Sequence, residues 1–348
     1  MNDIKILQGD CIETLKQLEE QSVNTCITSP PYWGLRDYGE TDQLGLEDTP
    51  EEFVENLVKV FREVKRVLRD DGTVWLNLGD SYMLNKQLGG IPWRVALALQ
   101  QDGWYLRQDI IWHKPNPMPE SVKDRCTKAH EYIFLLSKSP KYYFDNEAIK
   151  EDAVRAGKIP KGKKYSSELA DDKIGGKHTR ETLNEKPVAS KRNKRSVWTV
   201  TTKPFKGAHF ATFPPDLIEP CVLAGCPEKI CVDCGKPYER VMQQPKQLEV
   251  KRGRRAGTDD RLIGGVLDKY KRENPPIDLG LQKQCDCETN ETKAGTVLDP
   301  FGGSGTTGIV ATNHGRNAVL LELNAEYIEI AKDRIKQQAG MFANIEEF

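Results

Sequence analysis

Val297-Leu298-Asp299-Pro300-Phe301-Gly302-Gly303-Ser304-Gly305-Thr306-Thr307-Gly308 is the stretch on which the fold turns. Residues 296–299 read as a short strand, 302–305 as a glycine-rich turn and 306–312 as a helix. Glycines let the backbone pass close to a bound ligand, and the first turn of a helix offers it free N–H groups. Residues 317–323 read as the next strand, with Glu322 near its end. In nucleotide-binding α/β folds an acid placed there accepts hydrogen bonds from ribose hydroxyls. The turn lacks the GxxxxGK[ST] spacing and has no lysine, which excludes a phosphate-cradling P-loop. An amphipathic helix is expected over 325–337.

Upstream the same alternation recurs. Residues 22–28 (SVNTCIT) read as a buried strand. Thr49-Pro50-Glu51-Glu52 is a helix start, with Thr49 as N-cap and Pro50 in the first turn. Phe53, Leu57, Phe61, Val64 and Leu68 then form a helical stripe expected to stop near Asp70-Asp71-Gly72. Strands are expected over 72–80, 109–113 and 131–136, and a helix over 91–101. Helices between apolar strands imply a mostly parallel α/β sheet. Residues 151–194 break the pattern: they are polar, rich in Lys and Gly, and read as a surface insertion.

The second informative segment is Thr28-Ser29-Pro30-Pro31-Tyr32-Trp33, at the carboxyl end of the 22–28 strand, where α/β folds place their sites. Two prolines stiffen the backbone and remove two donors, leaving carbonyls free to accept. A serine hydroxyl beside a free carbonyl holds an amino group by both protons, and an adjacent aromatic ring stacks on a planar base. Such a grip points the nitrogen lone pair at an electrophile. A rigid proline turn with a core tyrosine is the alternative from this segment alone.

Charge is unevenly spread. The 348 residues carry a net −1. Residues 150–203 hold 15 Lys and Arg against 7 Asp and Glu, and 236–283 hold 12 against 7. An acidic body with two basic segments suits a polyanion-binding enzyme, although charge runs are also common in solvated loops. No stretch approaches the roughly 18 apolar residues of a membrane span, and the start (MNDIKILQGD) lacks a signal-peptide pattern. A cytoplasmic protein with no membrane partner is expected, and nine cysteines, an odd number, argue against a disulfide framework.

Together TSPPYW and LDPFGGSGTT resemble the amino-methylating DNA methyltransferases, enzymes that move a methyl group from S-adenosylmethionine to N4 of cytosine or N6 of adenine. GDC at 9–11, IIWHKPNPMP at 110–119, HFATFPPDLIEP at 209–220 and LLELNAEYIEIA at 320–331 extend the resemblance over most of the chain. The tetrapeptide precedes the glycine turn with a variable region between, which is the family's beta arrangement. The resemblance implies a Rossmann-like class I methyltransferase sheet, circularly permuted, with a catalytic half over 1–115 and a target-recognition region over 116–204. A cofactor-flanking segment follows over 205–228, then a Cys-containing basic insertion over 229–291 and a cofactor-binding half over 292–348. By it, Ser29, Pro30, Pro31 and Tyr32 are catalytic, with Ser29 and the Pro30 carbonyl on the amino group and Tyr32 on the base. Asp10, Phe213, Pro214, Asp299, Phe301, Gly303, Gly305 and Glu322 bind S-adenosylmethionine, Glu322 at the ribose and Asp10 near the adenine. Asp80 is either part of the active-site wall or a turn aspartate capping a helix.

The base would leave the duplex stack before reaction. No cysteine nucleophile is needed, so Cys11, Cys26, Cys126 and Cys221 read as small buried or local residues. Ser at the first tetrapeptide position favours cytosine N4, with adenine N6 as the alternative and a catalytically silent DNA-binding protein as a further one. Double-stranded DNA is the expected partner, together with a cognate restriction endonuclease. Finally, Cys231-x2-Cys234 and Cys285-x-Cys287 resemble a zinc knuckle whose four thiolates would close a structural site, in a small zinc-ribbon-like insertion; free thiols are the alternative, and Cys226 an alternative ligand. Arg252, Arg254 and Arg255 in the same insertion are candidate DNA contacts.

Overall fold

The computed structural model describes residues 2–35, 39, 43–83, 86–152, 191–202, 213–244, 270, 274, 276–339 and 343–347. The chain divides into two compact units, Met1–Asp145 with Ser196–Phe348, and Asn146–Arg195. The larger unit begins with β1 (Asn2–Gln8), α1 (Cys11–Lys16), β2 (Val23–Thr28), α2 (Pro50–Val67), β3 (Leu68–Leu78), α3 (Ile91–Gln101), β4 (Tyr105–His113) and β5 (His130–Ser137). The smaller unit supplies β6 (Glu151–Asp152) and β7 (Lys191–Arg192). The larger resumes with β8 (Val197–Thr199), α4 (Pro215–Gly225), β9 (Ile230–Cys231), β10 (Glu239–Gln243), β11 (Ile277–Gln282) and β12 (Thr292–Lys293). It closes with β13 (Thr296–Asp299), α5 (Thr306–Asn313), β14 (Asn317–Glu322), α6 (Ala325–Ala339) and β15 (Ala343–Glu347).

Nine strands form one sheet in the order β15-β1-β14-β13-β2-β3-β5-β4-β8. All neighbours run parallel except β5, which lies antiparallel to both β3 and β4. Helices α1, α2 and α3 pack in one group and α4, α5 and α6 in another. Every residue of β2 is consequently buried, as are the last seven of β3, the signature of strands covered on both faces. The mostly parallel α/β sheet expected from the sequence is therefore present.

Helix α2 shows how the sequence sets local structure. The Thr49 hydroxyl accepts from the Glu52 N–H at 3.2 Å, Pro50 opens the first turn, and Lys65 and Arg66 occupy the last. Its buried stripe, Phe53, Leu57, Val60, Phe61, Val64 and Val67, contributes roughly 1.5–3 kcal/mol per fully buried side chain. The helix stops at Val67, earlier than the stripe implies, because Leu68 adopts an extended backbone and pairs with Val23 as the first residue of β3.

Within residues 116–204, β5 and β8 are strands of the central sheet, and Asn146–Arg195 forms the smaller compact unit. Most of the polar insertion, 153–190, lies outside the described residues, as do Arg252, Arg254 and Arg255. In the described ends of that insertion, β6 pairs with β7 and Glu151 holds Arg192 at 2.9 Å and Arg195 at 2.8 Å. Among the described residues no helix is long and apolar enough to cross a membrane.

Candidate active site

The sheet brings the two motifs together. Strands β2 and β13 are parallel neighbours, with Val297 opposite Thr25 and Leu298 opposite Cys26, so both emerge at the same edge. There the Thr28 hydroxyl donates to Asp299 Oδ1 at 2.6 Å across 271 residues of sequence. Asp299 also accepts from the Thr307 hydroxyl at 2.6 Å and the Phe301 N–H at 3.1 Å. It is buried, and burial pushes its carboxyl up to about 7 against the donors that favour the charged form. Asp299 thus braces the root of both motifs.

The glycine turn follows. Gly303 has φ +50 and Gly305 φ +77, the left-handed region that favours glycine. A Cβ at Gly305 would lie 3.0 Å from that of Ala331 on α6, whereas one at Gly303 would meet only Phe301 O, at 3.9 Å. The Gly303 N–H donates to Glu322 Oε2 at 2.7 Å, and the Asn324 N–H to Oε1 at 3.0 Å. Arg334 of α6 donates to the carbonyl and hydroxyl of Ser304, and to Thr306 Oγ1 at 3.2 Å. Asp10 follows the neighbouring β1 by two residues and caps α1, its Oδ1 accepting from the N–H groups of Ile12 and Glu13. Gln8 lies opposite Glu322 in the β1–β14 register, so Asp10 and Glu322 share the edge. Phe301 packs on the core, and buried Phe213 and Pro214 stand at the start of α4.

Ser29, Pro30, Pro31 and Tyr32 leave β2 beside this turn. The Tyr32 hydroxyl donates to Glu131 Oε2 at 2.7 Å and accepts from Asn77 Nδ2 at 2.8 Å. The Ser29 hydroxyl lies 3.3 Å from that of Tyr32, and Asn77 Nδ2 is 3.3 Å from Ser29 Oγ. Glu131 is in turn ion-paired with Lys114, whose ammonium sits 4.3 Å from the centre of the Trp112 ring. Burial first, and the Glu131 charge second, hold the Tyr32 phenol well above its ordinary pKa, so it stays a donor. Gly79 makes room for the ring: a Cβ there would lie 2.5 Å from Tyr32 Cε2.

Asp80 resolves as a cap. Its carboxylate accepts from the N–H groups of Ser81, Gly90 and Ile91 at 3.0–3.1 Å, which satisfies the amino end of α3. Sequence reasoning missed Asn77, Gly79, Glu131 and Lys114; only Gly79, a glycine at a strand's end, gave a local signal. Cys11, Cys26 and Cys221 are buried as expected, whereas Cys126 is exposed. Away from this edge the four cysteines expected at a metal converge, while Cys226 is buried at the end of α4, outside the group, its thiol pushed up to about 12 by burial.

A doubly wound sheet with a Ser-Pro-Pro-Tyr edge beside a glycine turn defines an amino-methyltransferase class of site. Residues 23–234 and 287–333 match the family model described as DNA methylase, and the chain belongs to that family of DNA amino-methyltransferases. The type II methyltransferase M.Cfr9I of Citrobacter freundii is 37% identical over 97% of this chain and 89% of its own length. M.SmaI of Serratia marcescens is 37% identical over 96% and 91%. Among solved structures, the cytosine-N4-specific PvuII DNA methyltransferase superposes with a TM-score of 0.56 at 17% identity, over 100% of this chain and 94% of that one. The putative DNA modification methylase TTHA0409 of Thermus thermophilus, solved with S-adenosyl-L-methionine, gives 0.52 at 20% identity over 99% of each. At those identities the two structures establish the class I methyltransferase fold alone.

Proposed function

We propose that this chain methylates N4 of cytosine in double-stranded DNA, using S-adenosylmethionine. One observation carries the amino-methylation part of the reading: the Thr28–Asp299 bond ties the base-gripping tetrapeptide to the glycine turn at a single sheet edge. Its order of motifs, tetrapeptide first, is in this reading the circularly permuted form of the fold.

The edge fits the cofactor. Nothing crowds the Cβ position of Gly303, so a ligand can approach the backbone there. Glu322 accepts from the Gly303 and Asn324 N–H groups, which holds its carboxylate against the turn at the strand end where such folds place the acid for ribose hydroxyls. In this reading Asp10 faces the adenine, Phe213, Pro214 and Phe301 flank the cofactor, and Gly303 and Gly305 clear its methionine part. Bound there, the sulfonium supplies an electrophilic methyl group. The chain does the rest by holding the base. Ser29 Oγ and the Pro30 carbonyl accept the two amino protons, which turns the nitrogen lone pair toward the methyl, and the Tyr32 ring stacks on the base. Flipping the base out costs a few kcal/mol, met by that stacking and by phosphate contacts from the basic segments.

Ser29 at the first tetrapeptide position is what favours cytosine, by the family's pattern. The type II relatives support a place in a restriction–modification pair, with a cognate endonuclease as partner and the cytoplasm as location. Mass spectrometry of nucleosides from unmodified genomic DNA treated with the enzyme and cofactor is the test. N4-methylcytosine is expected. N6-methyladenine in its place overturns the base assignment, and no methylated nucleoside at all leaves a silent DNA-binding protein.

A further inference from the structure

Among the described residues, the one grouping of three or more His, Cys, Asp or Glu side chains close enough to share a metal ion lies far from the catalytic edge. The Sγ atoms of Cys231, Cys234, Cys285 and Cys287 all fall within 4.8 Å of one another, and all four are free thiols. A tetrahedral Zn–S distance of about 2.3 Å sets sulfur–sulfur separations near 3.8 Å, so the observed group needs only a small contraction to close on one ion. An iron–sulfur cluster spreads its thiolates further apart than a single ion does.

The backbone around the group is built as a knuckle. The Gly235 N–H donates to the Cys231 carbonyl at 2.9 Å, with φ +68 at Gly235 turning the chain back over the first cysteine pair. Arg69, the second residue of β3, reaches the Cys234 carbonyl. Cys231 lies opposite Thr292 in the β9–β12 ladder, and β12 ends three residues before β13 begins. The group therefore stands at the amino ends of the parallel strands, across the sheet from Ser29 and Gly303.

Packing shows why an ion is needed there. From Val232 to Gln244 only Pro237 is buried, and from Pro276 to Lys293 no residue is. Two short ladders, β9–β12 and β10–β11, cannot by themselves offset the entropy of ordering such a segment. The geometry points to a structural zinc ion, bound by Cys231, Cys234, Cys285 and Cys287, that fastens the root of the 229–291 insertion to the strand carrying the glycine turn. Four thiolates leave no open position, so the ion takes no part in methyl transfer.

Metal analysis of the full-length chain expressed in zinc-replete medium tests this. One zinc per chain is expected, retained through dialysis, lost in Cys234→Ser and in Cys287→Ser, and kept in Cys126→Ser, whose thiol is exposed and outside the group. Cobalt exchanged into the site should give the intense near-ultraviolet charge-transfer bands of a tetrathiolate. Metal-stripped protein should be cut within 229–291 at least about tenfold faster by trypsin, because cleavage follows the population of opened chain. Less than a tenth of an equivalent of zinc, iron in its place, or equal loss in Cys126→Ser overturns the assignment. Because metal content and cleavage are read without DNA, they stand apart from the question of which base is methylated.

Discussion

Replacing Glu131 by glutamine tests what holds the Tyr32 ring in place, and with it the proposed stacking of that ring on the base. Glu131 Oε2 accepts from the Tyr32 hydroxyl at 2.7 Å and from Asn77 Nδ2 at 3.1 Å, while Oε1 takes the Lys114 ammonium. Glutamine keeps the shape but removes the charge, so the phenol's bond falls from charge-assisted to neutral, a loss of about 1–1.5 kcal/mol. Since 1.4 kcal/mol is about a factor of ten in rate, single-turnover methyl transfer should slow roughly tenfold. Lys114 loses its counter-ion but keeps the Trp112 ring, and its side chain is 19% exposed, so water moderates the penalty. Thermal unfolding should fall by roughly 2–4 °C. The assay follows tritiated methyl from the cofactor into unmodified genomic DNA, with cofactor affinity measured separately by calorimetry. That affinity should not change, because Glu131 reaches the tetrapeptide and not the glycine turn. A transfer rate within twofold of the parent, in a variant that melts lower, would refute the idea that this network positions the ring.

Gly79→Ala places a methyl group 2.5 Å from Tyr32 Cε2, so it should cut methyl transfer by at least about tenfold while the chain still folds and binds cofactor; unchanged transfer would mean that the ring moves freely. Arg334→Met removes the donor that pins Ser304 and Thr306, and should raise the cofactor's Kd several-fold in calorimetry with little effect on DNA binding in a filter assay. Asp299, held up near 7 from its ordinary 3.8, keeps a proton in the folded chain that the unfolded chain has released. Stability therefore falls as pH rises from about 4 to about 7 and levels off above. Asp299→Asn cannot ionise, so urea midpoints at about pH 5 and about pH 8 should show the parent losing stability relative to this variant; a parent that gains instead contradicts the shift.

How much of this the sequence discloses depends on how far each interaction reaches along the chain. β13 ends at Asp299 and α3 spans Ile91–Gln101 as read, because glycines, prolines and a change of hydrophobic period punctuate those boundaries within a few residues. The end of α2 misleads because Leu68 continues the helical stripe while its backbone already belongs to β3. β15 (ANIEE), with only Ala343 and Ile345 apolar, is too short to signal a strand: it is an edge strand held by its register with β1. Glu131 is invisible for a different reason. It faces Tyr32 only because β5 runs antiparallel to β3, with Tyr132 opposite Leu78, and nothing local announces that pairing. Asp80 is ambiguous from sequence because an aspartate after a strand suits a wall or a cap equally; the amino end of α3 beneath it decides for the cap.

The order of the two motifs, by contrast, costs the site little. Closing a loop grows more expensive only with the logarithm of its length, so bringing residue 28 to residue 299 adds little over a short connection. What the site requires is that β2 and β13 be adjacent, parallel and in register, because only then do Ser29 and Gly302 leave the sheet on the same side. The Thr28 hydroxyl on Asp299 turns that adjacency into a direct link: the residue before Ser29 holds the carboxyl group on which Phe301 N and Thr307 also rest. A shift of either motif relative to the other would strip a donor from a buried carboxylate, at a cost of about 1–3 kcal/mol. The relative placement of the Ser29–Tyr32 segment and the glycine turn is thereby set by a buried contact at the sheet rather than by the loops that follow the two strands.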